Sequence, residues 1–261
     1  MIKKLLKHDL KRMLKVLVYI YIIAICLSGV TRLINLGKDI QVIAIIGYVF
    51  SGLVYSAIGS IFVNTFVQIL RVFIVNFYKD ESYLTHTLPV KKNKLLLSKY
   101  LSSLIVILLS VIVCFISLFI LFYNPEFVQA IKVMLETTVS GFNMSVGGFI
   151  ILMIFIIFSQ ICSMISMSFC AIVIANKYNT KKILKGIGWF FAFYMTTMIV
   201  TLIVAAIMFA IGGKITELFA TVLSNSAFIS LLVIALVLYI VYSIIFYIIT
   251  NKLFSKGVNV E

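Results

Sequence analysis

Few side chains in this sequence could do chemistry, and the long apolar runs contain none of its eight acidic residues. His8 and His86 are isolated, so the clustered His and acidic ligands of an intramembrane metalloprotease are missing. Cys26, Cys114, Cys162 and Cys170 all lie inside apolar runs, which disfavours a disulfide scaffold or a zinc site and leaves them as small packing residues. A carrier coupled to protons or sodium usually buries Asp or Glu near the midplane to bind its ion. With no such residue here, secondary transport is disfavoured. No Gly-x4-Gly-Lys-Ser/Thr loop occurs either: Gly212-Gly213-Lys214 continues into Ile215, and Leu27-Ser28-Gly29 is buried in an apolar run. The chain is therefore expected not to be an enzyme. If it pumps, a separate subunit must hydrolyse the ATP.

The hydrophilic stretch richest in recognition chemistry is Lys79 to Lys99, KDESYLTHTLPVKKNKLLLSK. Tyr83, Leu84 and Leu88 are apolar groups between Asp80 and Glu81 on one side and Lys91, Lys92 and Lys94 on the other. Pro89 ends any helix begun near Asp80, and the acidic pair suits a positive helix N-terminus. A helix of one or two turns lying on the membrane surface fits, and such a knob could dock into a groove on a soluble partner. An ordinary hairpin whose apolar residues rest on lipid fits the same pattern.

What must position this stretch is set by hydropathy. Hydrophobic residues make up 63% of the chain and charged ones 11%, against about 25% in soluble domains. Six charge-free runs result, at 16–31, 40–70, 100–125, 137–176, 186–213 and 218–251. A helical span needs about 20 apolar residues to cross about 30 Å of hydrocarbon. The first run is short, but Arg32 can snorkel while Leu33 and Ile34 complete the helix. Barrel strands alternate apolar and polar residues, which these runs do not, and unpaired backbone is too costly in lipid. The expected fold is an all-α integral membrane protein with six spans at about 16–35, 41–70, 98–123, 146–174, 187–211 and 227–250.

Residues 1–15 place Ile2, Leu5, Leu6, Leu10, Met13 and Leu14 on one face and six basic residues on the other, which predicts an interfacial elbow helix. All basic residues except Arg32, Lys38, Lys132 and Lys214 fall in the segments on one side of a six-span topology. The acids divide equally, so the net charge of +14 lies on that side. Lys and Arg are retained in the cytoplasm, so both termini are predicted to be cytoplasmic. The charge reads as topology plus attraction to anionic membrane lipid, not as nucleic-acid binding. Asn64, Gln68 and Arg71 give the second helix a polar face, and that helix is expected to continue to Tyr78. Pro125 opens an amphipathic segment. The segment 212–226 is expected to be an external re-entrant or interfacial element. Small residues recur at helical spacing at Gly52, Ser56 and Ser60, at Ser103, Ser110 and Ser117, and at Ser159, Ser163 and Ser166. Close helix packing is the simpler explanation of these stripes, and a substrate path is the other.

The segment DESYLTHTLPVKKNKLLLSK resembles the corresponding stretch of type-2 ATP-binding-cassette (ABC) permeases of Gram-positive bacteria. Those commonly show an acidic pair, a Tyr-Leu-Thr core, Leu-Pro, and a basic run into Leu-Leu-Ser-Lys. The six spans, basic elbow and long second span extend the resemblance over the whole chain. It implies that residues 79–94 carry a cytoplasmic coupling helix between the second and third spans. The contacts to the ATPase subunit would then be Glu81, Tyr83, Leu84, Thr85, His86 and Leu88. It also implies two ATPase subunits holding ATP and magnesium, no cofactor on this chain, and a second permease copy or paralogue. The setting would be the bacterial cytoplasmic membrane. The absence of a sizeable external segment favours export over import, and a lining of hydroxyls, amides, sulfur and aromatics suits an amphipathic or apolar cargo such as an antimicrobial peptide, a lipid or a drug. Asn64, Gln68, Gln160 and Tyr194 are candidate lining groups. The competing readings are a non-pumping immunity or sensor protein that binds an antimicrobial peptide, and a channel or secondary carrier.

Overall fold

A run of apolar residues uninterrupted by Gly or Pro has one way to satisfy its backbone in lipid, the i to i−4 ladder of a helix. The computed structural model describes residues 2–37, 40–79, 82–87, 92–123, 125–140, 145–178, 180–212 and 224–255. Within these it is helical: α1 (Ile2–Asn35), α2 (Gln41–Tyr78), α3 (Ser82–Thr87), α4 (Lys92–Phe122), α5 (Pro125–Ser140), α6 (Val146–Ala175), α7 (Lys182–Ile211) and α8 (Asn225–Ser255). Six of them, all but α3 and α5, are long and apolar enough to cross a membrane. Much of their surface is apolar and uncovered within the chain, Tyr19, Leu33, Val63, Ile183 and Leu202 among it, as lipid-facing helices require.

Two helices are longer than a bilayer needs. At about 1.5 Å per residue α2 measures roughly 57 Å, so its continuation to Tyr78 carries the chain past the hydrocarbon. The basic segment expected to form an elbow is not a separate element: α1 runs unbroken from Ile2 to Asn35, roughly 51 Å. No Gly or Pro lies between Ile2 and Ser28 to interrupt the ladder, so amphipathic start and apolar run share one axis. Most of the external segment expected at 212–226 lies outside the described residues.

The chain divides into two units, Met1–Ala130 and Ile131–Glu261, with α5 crossing the division. In the first unit α1 packs on both α2 and α4, and α3 packs on α2. Each helix of the trio buries one stripe. On α1 it is Met13, Leu17, Tyr21, Ala24, Ser28 and Thr31; on α2 it is Val54, Ile61, Thr65, Ile69, Val72 and Asn76; on α4 it is Ser103, Val106, Ser110, Cys114 and Ser117. Steps of three and four keep each stripe on one face, and the small residues of α4 let the backbones approach.

In the second unit α6 packs most extensively on α8 and also on α7. Met167 and Cys170 of α6 meet Tyr242 and Phe246 of α8, with Phe190, Phe193 and Tyr194 of α7 against them. The Phe193 and Phe246 rings lie 5.1 Å apart, and the Tyr242 hydroxyl is 3.1 Å from that of Thr201. Lipid is as apolar as this cluster, so packing and not transfer from water holds it. Phe246→Ala is accordingly expected to cost only a cavity term: roughly 100 Å³ at about 24 cal/mol per Å³, or about 2 kcal/mol. Thermal unfolding in detergent measures it, and a loss below about 0.5 kcal/mol would show that the site collapses.

Candidate functional site

Followed toward the N-terminus of α1, the C-terminus of α2 and the N-terminus of α4, the three buried stripes end together on polar side chains. Asp9 lies four residues before Met13 and is only 2% exposed; Asn76 and Lys99 are also buried. Lys99 forms an ion pair with the Asp9 carboxylate. The Asn76 amide nitrogen donates to Asp9 Oδ1 at 3.3 Å, and Arg12 Nη1 donates to Asn76 Oδ1 at 2.8 Å. Asn76 thus stands between a cation and an anion, and only one orientation of its amide serves both. The Lys99 ammonium also sits 5.9 Å from the Phe77 ring centroid. The sign of each partner matters here, because a buried charge that loses its counter-ion carries an uncompensated desolvation cost.

This cluster lies at the stems of the short element predicted from Lys79 to Lys99. α2 ends at Tyr78, α3 occupies Ser82–Thr87 and α4 starts at Lys92. The Ser82 amide donates to the Lys79 carbonyl at 2.7 Å, and Ser82 is buried. Tyr83 next to it is 74% exposed. Thr85 and His86 are helical together with Leu84, although the surroundings of these three side chains lie outside the described residues, as do Glu81 and Leu88 altogether. A short helix carrying an exposed aromatic is thus set between two long helices whose adjoining ends are tied to α1.

The opposite end of the α1 and α4 pair is tied as well. Arg32 Nη1 donates to the Ile120 carbonyl at 3.4 Å and lies 5.0 Å from the Tyr123 ring centroid. Asp9 and Arg32 are roughly 35 Å apart along α1, and Lys99 and Ile120 roughly 32 Å apart along α4. Those lengths match about 30 Å of hydrocarbon, so the two ties bracket a membrane core. Midway between them Ser110 of α4 meets Tyr21 of α1 at 2.6 Å and Thr65 of α2 at 2.8 Å, while its hydroxyl also reaches the Val106 carbonyl at 3.0 Å. Such interhelical bonds in lipid are each worth about 0.6 kcal/mol on average.

The candidate lining groups fall on different units. Asn64 and Gln68 are half-buried on α2, and the Asn64 amide donates to the Ser60 carbonyl of its own helix at 2.8 Å. Gln160 is exposed near the middle of α6, and Tyr194 is half-buried against the Met167, Cys170, Tyr242 and Phe246 cluster. The serine stripes of α4 and α6 are buried, as packing requires, whereas Gly52 and Ser56 of α2 are exposed. Asp9, Asn76 and Lys99 were no part of the expected site. The signal for them was the register: continuing each apolar stripe by one helical step lands on a polar residue.

Comparison with family models, with curated proteins and with solved structures found no match to the chain. The described residues are helical, and six of their helices are long and apolar enough to cross a membrane, which gives the class: a helical, multi-pass membrane protein.

Proposed function

We propose that this chain is the membrane-spanning permease subunit of an ABC exporter. It moves an amphipathic or hydrophobic substrate, such as a peptide, lipid or drug, across the bacterial cytoplasmic membrane. The observation that carries this reading is α3, a short helix with Tyr83 exposed, set between α2 and α4 beside the Asp9, Asn76 and Lys99 cluster. Large exposed aromatics are the residues that anchor protein partners.

A force applied at Tyr83 to Leu88 by the ATPase subunits reaches two long helices at once. Because both are tied to α1, the trio tilts as a body and does not bend at one helix end. ATP and magnesium belong to the partner; this chain supplies the lever and the path. ATP-driven closure of the partner then shifts the population between inward and outward openings. Both termini face the cytoplasm, and a second copy or paralogue completes the path.

Gentle extraction in mild detergent tests the proposal. A soluble ATPase is expected to copurify in about equal amount, and a photo-crosslinker at position 84 should capture it. Recovery of the chain alone, with no crosslink from position 84, would instead match an immunity or sensor protein. Ion conduction in nucleotide-free bilayers would indicate a channel.

A further inference from the structure

We infer that the start of α7 carries a binding site for one anionic phospholipid, independent of the ATPase-docking reading. Tyr178, Lys185, Gly188, Trp189 and Ala192 line an open groove of about 360 Å³ whose walls are almost wholly apolar. Four of the five lie on α7, where Lys185, Gly188 or Trp189, and Ala192 follow at steps of three and four along one face. A Cβ added at Gly188 would meet no atom within 4 Å, so the groove is open beside that backbone.

One end of this groove is cationic and the other is not. Lys177, Lys181, Lys182 and Lys185 cluster around the turn from α6 to α7, and no Asp or Glu occurs anywhere between Glu136 and Glu217. The Lys185 ammonium is held 4.2 Å from the Tyr178 ring centroid, which fixes its charge at the groove mouth. α7 begins after Lys181, whose φ of 51° places it in the left-handed region, with no side-chain cap and no acidic residue in the first turn. Among the described residues neither a side-chain cap at Lys181 nor an acid in the first turn offsets the positive end of the helix dipole, which lies in the same turn of sequence as the lysines.

An anion at the lysines joined to an apolar chain lying over Gly188 and Ala192 is what the groove complements, and an anionic phospholipid has that form. Basic pockets at the cytoplasmic ends of membrane helices hold such headgroups, and Trp belongs at this depth. The headgroup phosphate would meet Lys181 and Lys185, and one acyl chain would run along α7 toward the bilayer centre.

Trp189 is the only tryptophan in the chain, so its fluorescence reports on this groove alone. The full chain is reconstituted into vesicles of phosphatidylcholine and phosphatidylglycerol in which one lipid or the other carries bromine on its acyl chains. Brominated phosphatidylglycerol is expected to quench Trp189 at a mole fraction about five- to thirtyfold lower than brominated phosphatidylcholine, the selectivity of one to two lysines near a headgroup. The variant Lys181→Gln/Lys185→Gln should lose that preference. It removes only two of 22 basic residues, so general attraction to a basic protein would survive it. Gly188→Leu, which fills the groove, should weaken quenching by both lipids. Equal quenching by the two lipids, a preference that persists in the double lysine variant, or no quenching by either would each overturn the inference, the last by showing the groove covered by protein.

Discussion

Asp9→Ala is expected to destabilise the first unit by about 3–5 kcal/mol, while Asp9→Leu combined with Lys99→Met is expected to cost little or to stabilise. The difference follows from what is left behind. The single change removes the carboxylate and leaves the Lys99 ammonium buried without it, whereas loss of the acceptor of the Asn76 amide is common to both variants. The double change removes both charges and substitutes apolar groups of similar reach, so the desolvation cost disappears with the attraction. For a unit of this size the single variant should unfold roughly 10 °C or more below the parent. Cys114 is buried on α4 within the same unit, so a variant retaining that cysteine alone can report unfolding through a thiol-reactive dye. If single and double variants lose equal stability, the pair is not acting as a buried ion pair, and α1 is held by its apolar stripe alone.

That cluster also marks where sequence reasoning stops. The spans were legible because a charge-free run of sufficient length has one solution in lipid, and α2, α4, α6, α7 and α8 end close to where composition changes. The short helix at Ser82–Thr87 was legible from the acidic pair and Pro89 that flank it. The unbroken course of α1 was not, because amphipathicity at 1–15 describes a face and says nothing of whether the axis turns at Val16. Asp9 was missed for a related reason. Charge counting only places Asp9 and Lys99 on the same side of a six-span topology, where two opposite charges 90 positions apart in the chain have no visible relation. Helical register would have joined them: Asp9 lies one step beyond Met13, and Lys99 one step before Ser103, on stripes already recognised as apolar or small. The candidate lining residues fared differently. Asn64, Gln68, Gln160 and Tyr194 were selected by polarity within a span, and polarity alone does not distinguish an amide turned to its own helix, as in Asn64, from one left exposed, as in Gln160.

On the permease reading proposed above, Tyr83→Glu is expected to separate ATP hydrolysis from transport without unfolding the chain, and Leu84→Glu is expected to separate them as well. Tyr83 is mostly exposed, so introducing a carboxylate there desolvates nothing within the chain itself, and thermal stability should stay within about 0.5 kcal/mol of the parent. Against a partner the same change is severe. A central aromatic anchor typically contributes about 2 kcal/mol or more, so even Tyr83→Ala should weaken capture of the ATPase roughly thirtyfold. Glutamate adds the cost of burying a charge in an apolar groove. In reconstituted vesicles containing this chain and the proposed ATPase subunit, substrate movement should fall at least about tenfold while the ATPase keeps its basal turnover, since the proposal assigns that chemistry to the other polypeptide. A protein that merely sequesters a peptide has no such dependence, and cells expressing its Tyr83→Glu form would stay as resistant as those with the parent. Preserved resistance together with unchanged recovery of the ATPase would remove α3 from the mechanism; lost transport with intact folding would assign it the transmission of force from the ATPase to α2 and α4.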